Sequence, residues 1–212
     1  MEYTKNLVSL HHIPKEIQAL RADALARGIP VADDETMNYL LLTARLAKPK
    51  KILEIGTAVG LSATALALAV PDAKITTIEF EEERYTEAKD NFARFGLQDR
   101  ITAHLGDAGE ILPMMEGEYD FIFLDGPKAQ YQTYLPELKR LLCVGGTLFS
   151  DDVLLYGWVD GREATPWKRH VLVDKIRAYL TTLSSDKDFV TSVLDVGDGV
   201  AVSVLIHKEE DI

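Results

Sequence analysis

The chain has 212 residues, 47% hydrophobic and 27% charged, which are the proportions of a globular protein and exclude the disordered and fibrous classes. Its formal net charge is −11, with 23 Lys+Arg against 34 Asp+Glu, and this excludes wholesale coating of nucleic acid. A single cysteine, Cys143, read as part of an apolar helical stretch, excludes a disulfide framework and a cysteine zinc cluster.

At about 150 residues per domain the length predicts one domain over 1–212, with residues 1–48 as N-terminal capping helices. The best apolar run, 63–70, falls far short of the ~18 residues a membrane span needs. The start, MEYTKNLVSLHH, has no apolar stretch behind a basic end, so a soluble cytoplasmic protein is the expectation.

In chain order, helical spacing covers 14–27 and 33–47. Short β-rich runs over Lys51–Ile55, Lys74–Glu79, Ile101–Leu105, Tyr119–Leu124 and 146–150 then alternate with helical patterns over 62–70, 82–95, 108–115 and 131–143. Such alternation predicts a largely parallel sheet in a doubly wound α/β fold. Runs over 189–196 and 199–206 flank Gly197-Asp198-Gly199, which predicts an antiparallel hairpin at the sheet's end.

Ligands of such folds bind at the carboxyl ends of the strands, and chemistry-bearing residues stand there. The first strand runs into Glu54-Ile55-Gly56-Thr57-Ala58-Val59-Gly60, with Ser62 in the following helix. Gly56 permits a tight turn, Gly60 a close backbone approach, and the helix N-terminus offers N–H groups to an anion. Ala58 departs from the glycine-rich dinucleotide fingerprint, and a plain strand-to-helix turn is the competing reading. Glu79 ends the second strand, 23 residues beyond Gly56, where an acidic side chain accepts from ribose hydroxyls; an adenosine-bearing ligand is implied. After the third strand, Gly106-Asp107-Ala108 offers a carboxylate to an adenine amino group or caps a helix, and capping is favoured for Asp107 alone.

Asp125 follows the fourth strand and Asp151-Asp152 the fifth. Three carboxylates at neighbouring strand ends repel one another without a cation, and an all-oxygen donor set suits Mg²⁺ or another hard ion such as Mn²⁺. Taken singly, Asp125 reads as a turn residue before Gly126-Pro127 and Asp151 as a cap. Lys128 hangs over the same site; a neighbouring divalent ion and sulfonium would lower its pKa and fit it as a general base, although a solvated lysine is the default elsewhere.

The strings KILEIGTAVGLSA, TTIEFEEERYTEAKDNFARFGLQDRI, LGDAGEILP, YDFIFLDGPKAQY and GGTLFSDDVLLYGWV together resemble the cation-dependent S-adenosylmethionine O-methyltransferases, the group of catechol and caffeoyl-CoA O-methyltransferases. The resemblance spans about 31–206 and implies a Rossmann-like methyltransferase fold with a seven-stranded, mostly parallel sheet closed by the hairpin. Position by position it implies an S-adenosylmethionine site of Val31, Glu54, Gly56, Gly60, Ser62, Glu79, Gly106, Asp107, Ala108 and Asp125. It also implies metal ligands Asp125, Asp151 and Asp152 and the catalytic Lys128. The family's third ligand is usually an asparagine, so Asp152 adds a negative charge. Gly126-Pro127 also departs from the family pattern.

Within that family KAQY, SDDVL-x-x-G-x-V and VGDGVAVS look most like the bacterial branch that methylates 5-hydroxyuridine at the tRNA wobble position. The acceptor is thus expected to be tRNA, with a small catechol-like molecule as the alternative, no membrane partner, and a homodimer as the assembly. Charge is unevenly spread: residues 1–51 carry 8 basic and 6 acidic side chains and 162–177 carry 5 and 2. Both basic segments are expected to surround the mouth of the site, with Lys168, Arg169, Lys175 and Arg177 meeting phosphates; a solvated helix face explains them equally well. Tyr156, Trp158 and Trp167 are expected either to wall the acceptor pocket or to pin a loop. The five histidines, His11, His12, His104, His170 and His207, are scattered or adjacent and are assigned no chemistry. An NAD-type oxidoreductase and a non-catalytic nucleotide-binding module remain as other classes.

Overall fold

The computed structural model describes residues 13–208; His11 and His12 lie outside them. Seven strands, β1 (Lys51–Ile55), β2 (Lys74–Glu79), β3 (Ile101–Leu105), β4 (Tyr119–Leu124), β5 (Leu142–Ser150), β6 (Phe189–Leu194) and β7 (Val200–Leu205), form one sheet in the order β3-β2-β1-β4-β5-β7-β6. The first five are parallel, and β7 runs antiparallel to both β5 and β6. The predicted doubly wound fold and terminal hairpin are both present.

The helices are α1 (Lys15–Ala26), α2 (Asp34–Ala47), α3 (Leu61–Ala69), α4 (Glu82–Arg94), α5 (Ala108–Ile111), α6 (Tyr131–Leu141) and α7 (His170–Ser185). Successive strand residues point to opposite faces, and two cores follow from that alternation. Ile52, Phe121, Phe123 and Phe149 pack under α1 to α4 on one face. Leu53, Ile55, Ile122, Leu124 and Leu148 pack under α6 and α7 on the other.

Two elements differ from the sequence reading. The apolar spacing of α6 runs on through Leu141 and Leu142, yet the chain becomes extended at Leu142, so Cys143 lies in β5 and not in a helix. The longest helix, α7, has in the sequence reading only the solvated face of Lys175 and Arg177, with no buried side. It buries Val173, Ile176, Tyr179 and Leu183, each worth roughly 1.5–3 kcal/mol, and that stripe holds the helix although no side chain caps its N-terminus.

The strand order reverses between β1 and β4, and a crevice opens at the carboxyl ends there. The two strand ends meet closely: Asp125 N donates to Ile55 O at 2.9 Å. A Cβ on Gly56, which has φ +100°, would lie 2.4 Å from Asp125 O, so only glycine fits. Among the described residues no helix is long and apolar enough to cross a membrane.

Candidate active site

The crevice is a cleft of roughly 780 Å³, within the range of small-molecule sites. Val31, Gly56, Glu79, Gly106, Asp107, Ala108, Asp125, Lys128, Asp151 and Asp152, all expected at the site, line it. Glu79 is fixed in place: Oε2 accepts from Ala58 N at 2.8 Å and Oε1 from Glu81 N at 2.9 Å. A carboxylate has about four acceptor positions, so two backbone bonds orient Glu79 and leave acceptors for a diol. Ala58 sits at φ +46° because its N–H is turned onto Glu79. Asp107 Oδ1 accepts from Gly109 N at 2.7 Å, the capping role favoured for it.

Glu54, Gly60 and Ser62 were expected at the cofactor and are not among the lining residues. Gly60 packs instead against α4, where a Cβ would lie 2.5 Å from the Phe92 ring. Glu54 is wholly buried beneath the cleft and accepts at Oε2 from Thr77 Oγ1 at 2.5 Å, while Thr77 Oγ1 lies 2.5 Å from Thr57 Oγ1. Ser62 is buried as well and turns its hydroxyl toward Glu54. Burial pushes the Glu54 carboxyl from its ordinary 4.5 up to about 8, against the bonds from Ser62 and Thr77 that lower it. Glu54 therefore holds its proton more tightly folded than unfolded. Between those two pH values stability falls as pH rises, by about 1.4 kcal/mol per unit, and the loss is complete above the upper one. Glu54→Gln is expected to flatten this slope in urea unfolding at several pH values; an unchanged slope would show that Glu54 is ionised in the fold.

The metal half of the cleft gathers as expected. One carboxylate oxygen from each of Asp125, Asp151 and Asp152 lies within 4.8 Å of the others. Asp151 is 2% exposed, and burial, with Asp125 and Asp152 beside it, raises its pKa well above the usual carboxylate range. Lys128 Nζ reaches Asp125 Oδ1 at 2.5 Å and Asp152 Oδ2 at 3.1 Å. Burial alone would lower the Lys128 pKa, but Asp125, Tyr131, Asp152 and Asp151 outweigh it and hold the ammonium protonated; the lowering expected from the sequence applies with a divalent ion and a sulfonium beside it. A lysine can serve as base here once another cation engages those carboxylates. Tyr131 supports the floor, its hydroxyl donating to Leu124 O at 2.9 Å and Asp151 O at 3.2 Å.

The donor set fits a hard divalent cation: three oxygen donors within 4.8 Å of one another, one of them deeply buried. Glu79 and the side-chain-poor turn at Gly56 and Ala58 fit the adenosine end of S-adenosylmethionine.

The O-methyltransferase family pattern matches residues 5–206. The chain belongs to the O-methyltransferase family. Caffeoyl-CoA O-methyltransferase 1 of Eucalyptus globulus is 31% identical over 196 residues, covering 89% of this chain and 79% of its own. A Staphylococcus aureus protein provisionally assigned as a caffeoyl-CoA O-methyltransferase superposes with a TM-score of 0.87 at 31% identity, over 97% of this chain and 100% of that one. A Podospora anserina methyltransferase with S-adenosylhomocysteine bound gives 0.76 at 28% identity, over 82% and 80% of the two chains. The chain is accordingly an S-adenosylmethionine-dependent O-methyltransferase, and the oxidoreductase and non-catalytic readings fall.

The acceptor side of this methyltransferase departs from the charge count. Arg21 pairs with Asp34 at 3.0 Å and Arg27 with Asp23 and Glu87. Lys50 and Lys51 donate their backbone N–H groups to Asp120, at the amino ends of β1 and β4. They and Lys48 thus lie at the end of the sheet away from the cleft, whereas Leu25, Ile29 and Val31 of the same N-terminal segment line it. Arg162 pairs with Asp160 and Asp195, and Arg177 binds the carbonyls of Val159 and Trp158 at 2.9 and 3.2 Å. Lys168, Arg169 and Lys175 have no carboxylate partner among the described residues. Of the three aromatics only Tyr156 lines the cleft; Trp158 packs on it at 5.0 Å, while Trp167 is 88% exposed.

Residues not singled out from the sequence also line the cleft, among them Asp33, Phe80, Tyr134 and Asp198. Asp33 had a readable signal, a capping residue at the start of α2, and its Oδ1 accepts from Thr36 N at 2.8 Å. That Asp198, 165 positions from Asp33, lines the same cleft had none.

Proposed function

We propose that the enzyme methylates a hydroxyl that stands beside a second, chelating oxygen, using a divalent cation held by Asp125, Asp151 and Asp152. The observation that carries this reading is the convergence of those carboxylates with Lys128 in the cleft that Glu79 also lines. The cation would supply Lewis acidity, lowering the pKa of the bound hydroxyl and fixing its direction. Glu79 holds the ribose end of the methyl donor. Lys128 Nζ, once neutral, takes the hydroxyl proton as the carbon–sulfur bond breaks and the carbon–oxygen bond forms, and S-adenosylhomocysteine leaves.

Asp152 supplies a full charge where the family usually has an amide. Asp152→Asn is expected to weaken Mg²⁺ binding while leaving measurable turnover at saturating Mg²⁺, since the amide oxygen still offers a donor. Activity titrated against Mg²⁺ checks this, and an unchanged midpoint would remove Asp152 from the ligand set.

For the acceptor we infer 5-hydroxyuridine at the wobble position of tRNA, whose 5-hydroxyl adjoins the 4-carbonyl. The resemblance to the tRNA-modifying branch supports it, as does one surface. Helix α7 begins after β5 and leads down to the start of β6, so its N-terminus lies at the cleft end of the sheet. There Lys168, Arg169 and Trp167 are exposed, a composition suited to phosphates and a stacked base. Reversing Lys168 and Arg169 to glutamate is expected to cut methylation of hydroxyuridine-containing tRNA at least tenfold and to flatten its salt dependence, with S-adenosylmethionine affinity unchanged. Equal activity of this variant on tRNA would refute the reading.

A small catechol is the second reading. Arg21, Arg27, Arg162 and Arg177 are engaged within the protein, which reduces the positive surface left for RNA, and the Eucalyptus relative is named for a small-molecule acceptor. Rapid catechol turnover without tRNA methylation would establish it.

A further inference from the structure

The turn between β6 and β7 touches the metal half of the cleft from two directions. Gly199 N donates to Val196 O at 2.9 Å and closes it. On one side Val153 N donates to Gly199 O at 2.8 Å and Leu154 N to Asp198 O at 2.9 Å, so the two residues after Asp152 are bonded to the turn. Gly199 has φ +89°, and a Cβ there would meet Leu154 Cγ at 2.2 Å and Leu154 Cβ at 2.5 Å. On the other side a Cβ on Gly197, φ +58°, would meet Asp33 Oδ2 at 2.2 Å and Thr36 Oγ1 at 2.4 Å. Thr36 Oγ1 in turn donates to Asp151 Oδ1 at 3.4 Å, the oxygen that also accepts from Asp152 N at 2.7 Å.

The segment so held is strained. Asp152, Leu155 and Tyr156 have φ of +55°, +47° and +59°, conformations that cost non-glycine residues of order 1–3 kcal/mol each and persist only where surrounding contacts over-determine them. The backbone N–H groups of both Val153 and Leu154 are given to the turn.

We propose that the Val196–Gly199 turn is a positioning element for the cation site: Gly199 sets the Asp152 segment, and Gly197 sets Asp33 and Thr36 on α2, through which Asp151 is oriented. The hairpin at the sheet edge thereby governs how well two of the three carboxylates converge, without itself touching the reacting atoms. Glu79 and the turn at Gly56 stand on β2 and β1, away from these bonds, so cation affinity and cofactor affinity should separate.

The inference rests on the cation reading above, and its test needs no turnover. Mn²⁺ affinity is measured by electron paramagnetic resonance and S-adenosylhomocysteine affinity by calorimetry in chelated buffer, for wild type, Gly199→Ala, Gly197→Ala, Thr36→Val and Thr36→Ser. The glycine variants are expected to lose at least tenfold in Mn²⁺ affinity with S-adenosylhomocysteine affinity within twofold of wild type. Thr36→Val should lose about threefold and Thr36→Ser should regain it; this pair decides the matter if the glycine variants do not fold. Mn²⁺ affinities within twofold of wild type throughout, or equal losses for both ligands, would overturn the positioning role. Wild-type protein that binds no Mn²⁺ would overturn the cation reading together with it.

Discussion

Asp125→Ala is expected to abolish methyl transfer, and to do so more completely than any change at Lys128. Asp125 serves two groups at once: its carboxylate is one of three that converge within 4.8 Å, and its Oδ1 holds the Lys128 ammonium at 2.5 Å. Removing it leaves two donors for a cation and takes from a buried lysine the shorter of its two ion pairs, leaving only Asp152 at 3.1 Å. Exhaustive chelation of the wild-type enzyme should reproduce the loss, and Mg²⁺ or Mn²⁺ should restore activity to wild type but not to the variant. Initial rates with labelled S-adenosylmethionine measure both. Full activity after chelation would contradict the site.

Lys128→Met is expected to lower kcat by ~10²- to 10⁴-fold, the usual worth of a positioned general base. Two further readouts separate that role from a structural one. The deficit should shrink as pH rises, because an acceptor hydroxyl that ionises by itself no longer needs a base. Mn²⁺ should bind the variant at least as tightly as wild type, since the ammonium that bridges Asp125 and Asp152 competes with a cation for the same oxygens. A deficit independent of pH, or weakened Mn²⁺ binding, would make Lys128 a support for the carboxylates and not the base.

The parts of this molecule that could be read from sequence are those set by local pattern. Runs such as Tyr119–Leu124 are apolar on both faces because helices cover both, and their ends placed Glu79, Asp125 and Asp151 correctly along the crevice. Gly197-Asp198-Gly199 announced the hairpin by the positive φ it requires. Helix α7 was legible only as a solvated face carrying Lys175 and Arg177, because its charges stand out while its apolar stripe of Val173, Ile176, Tyr179 and Leu183 is interleaved with them. Counting charges along the chain also failed where pairing is tertiary: Arg27 meets Glu87 across 60 positions. Glu54 and Ser62 are adjacent to the cofactor turn in sequence, yet strand and helix direction send them inward, a distinction that a motif does not carry. The contact of Thr36 with Asp151 spans 115 positions and exists only in the fold.

The central claim, that Asp125, Asp151 and Asp152 bind a divalent cation in the cleft that takes the methyl donor, is tested most directly by anomalous scattering from crystals grown with S-adenosylhomocysteine and Mn²⁺. The predicted result is one strong manganese peak within bonding distance of all three carboxylates, with Lys128 Nζ displaced from Asp125 and the ribose hydroxyls on Glu79. S-adenosylhomocysteine bound at Glu79 with no manganese peak among the three aspartates would contradict it.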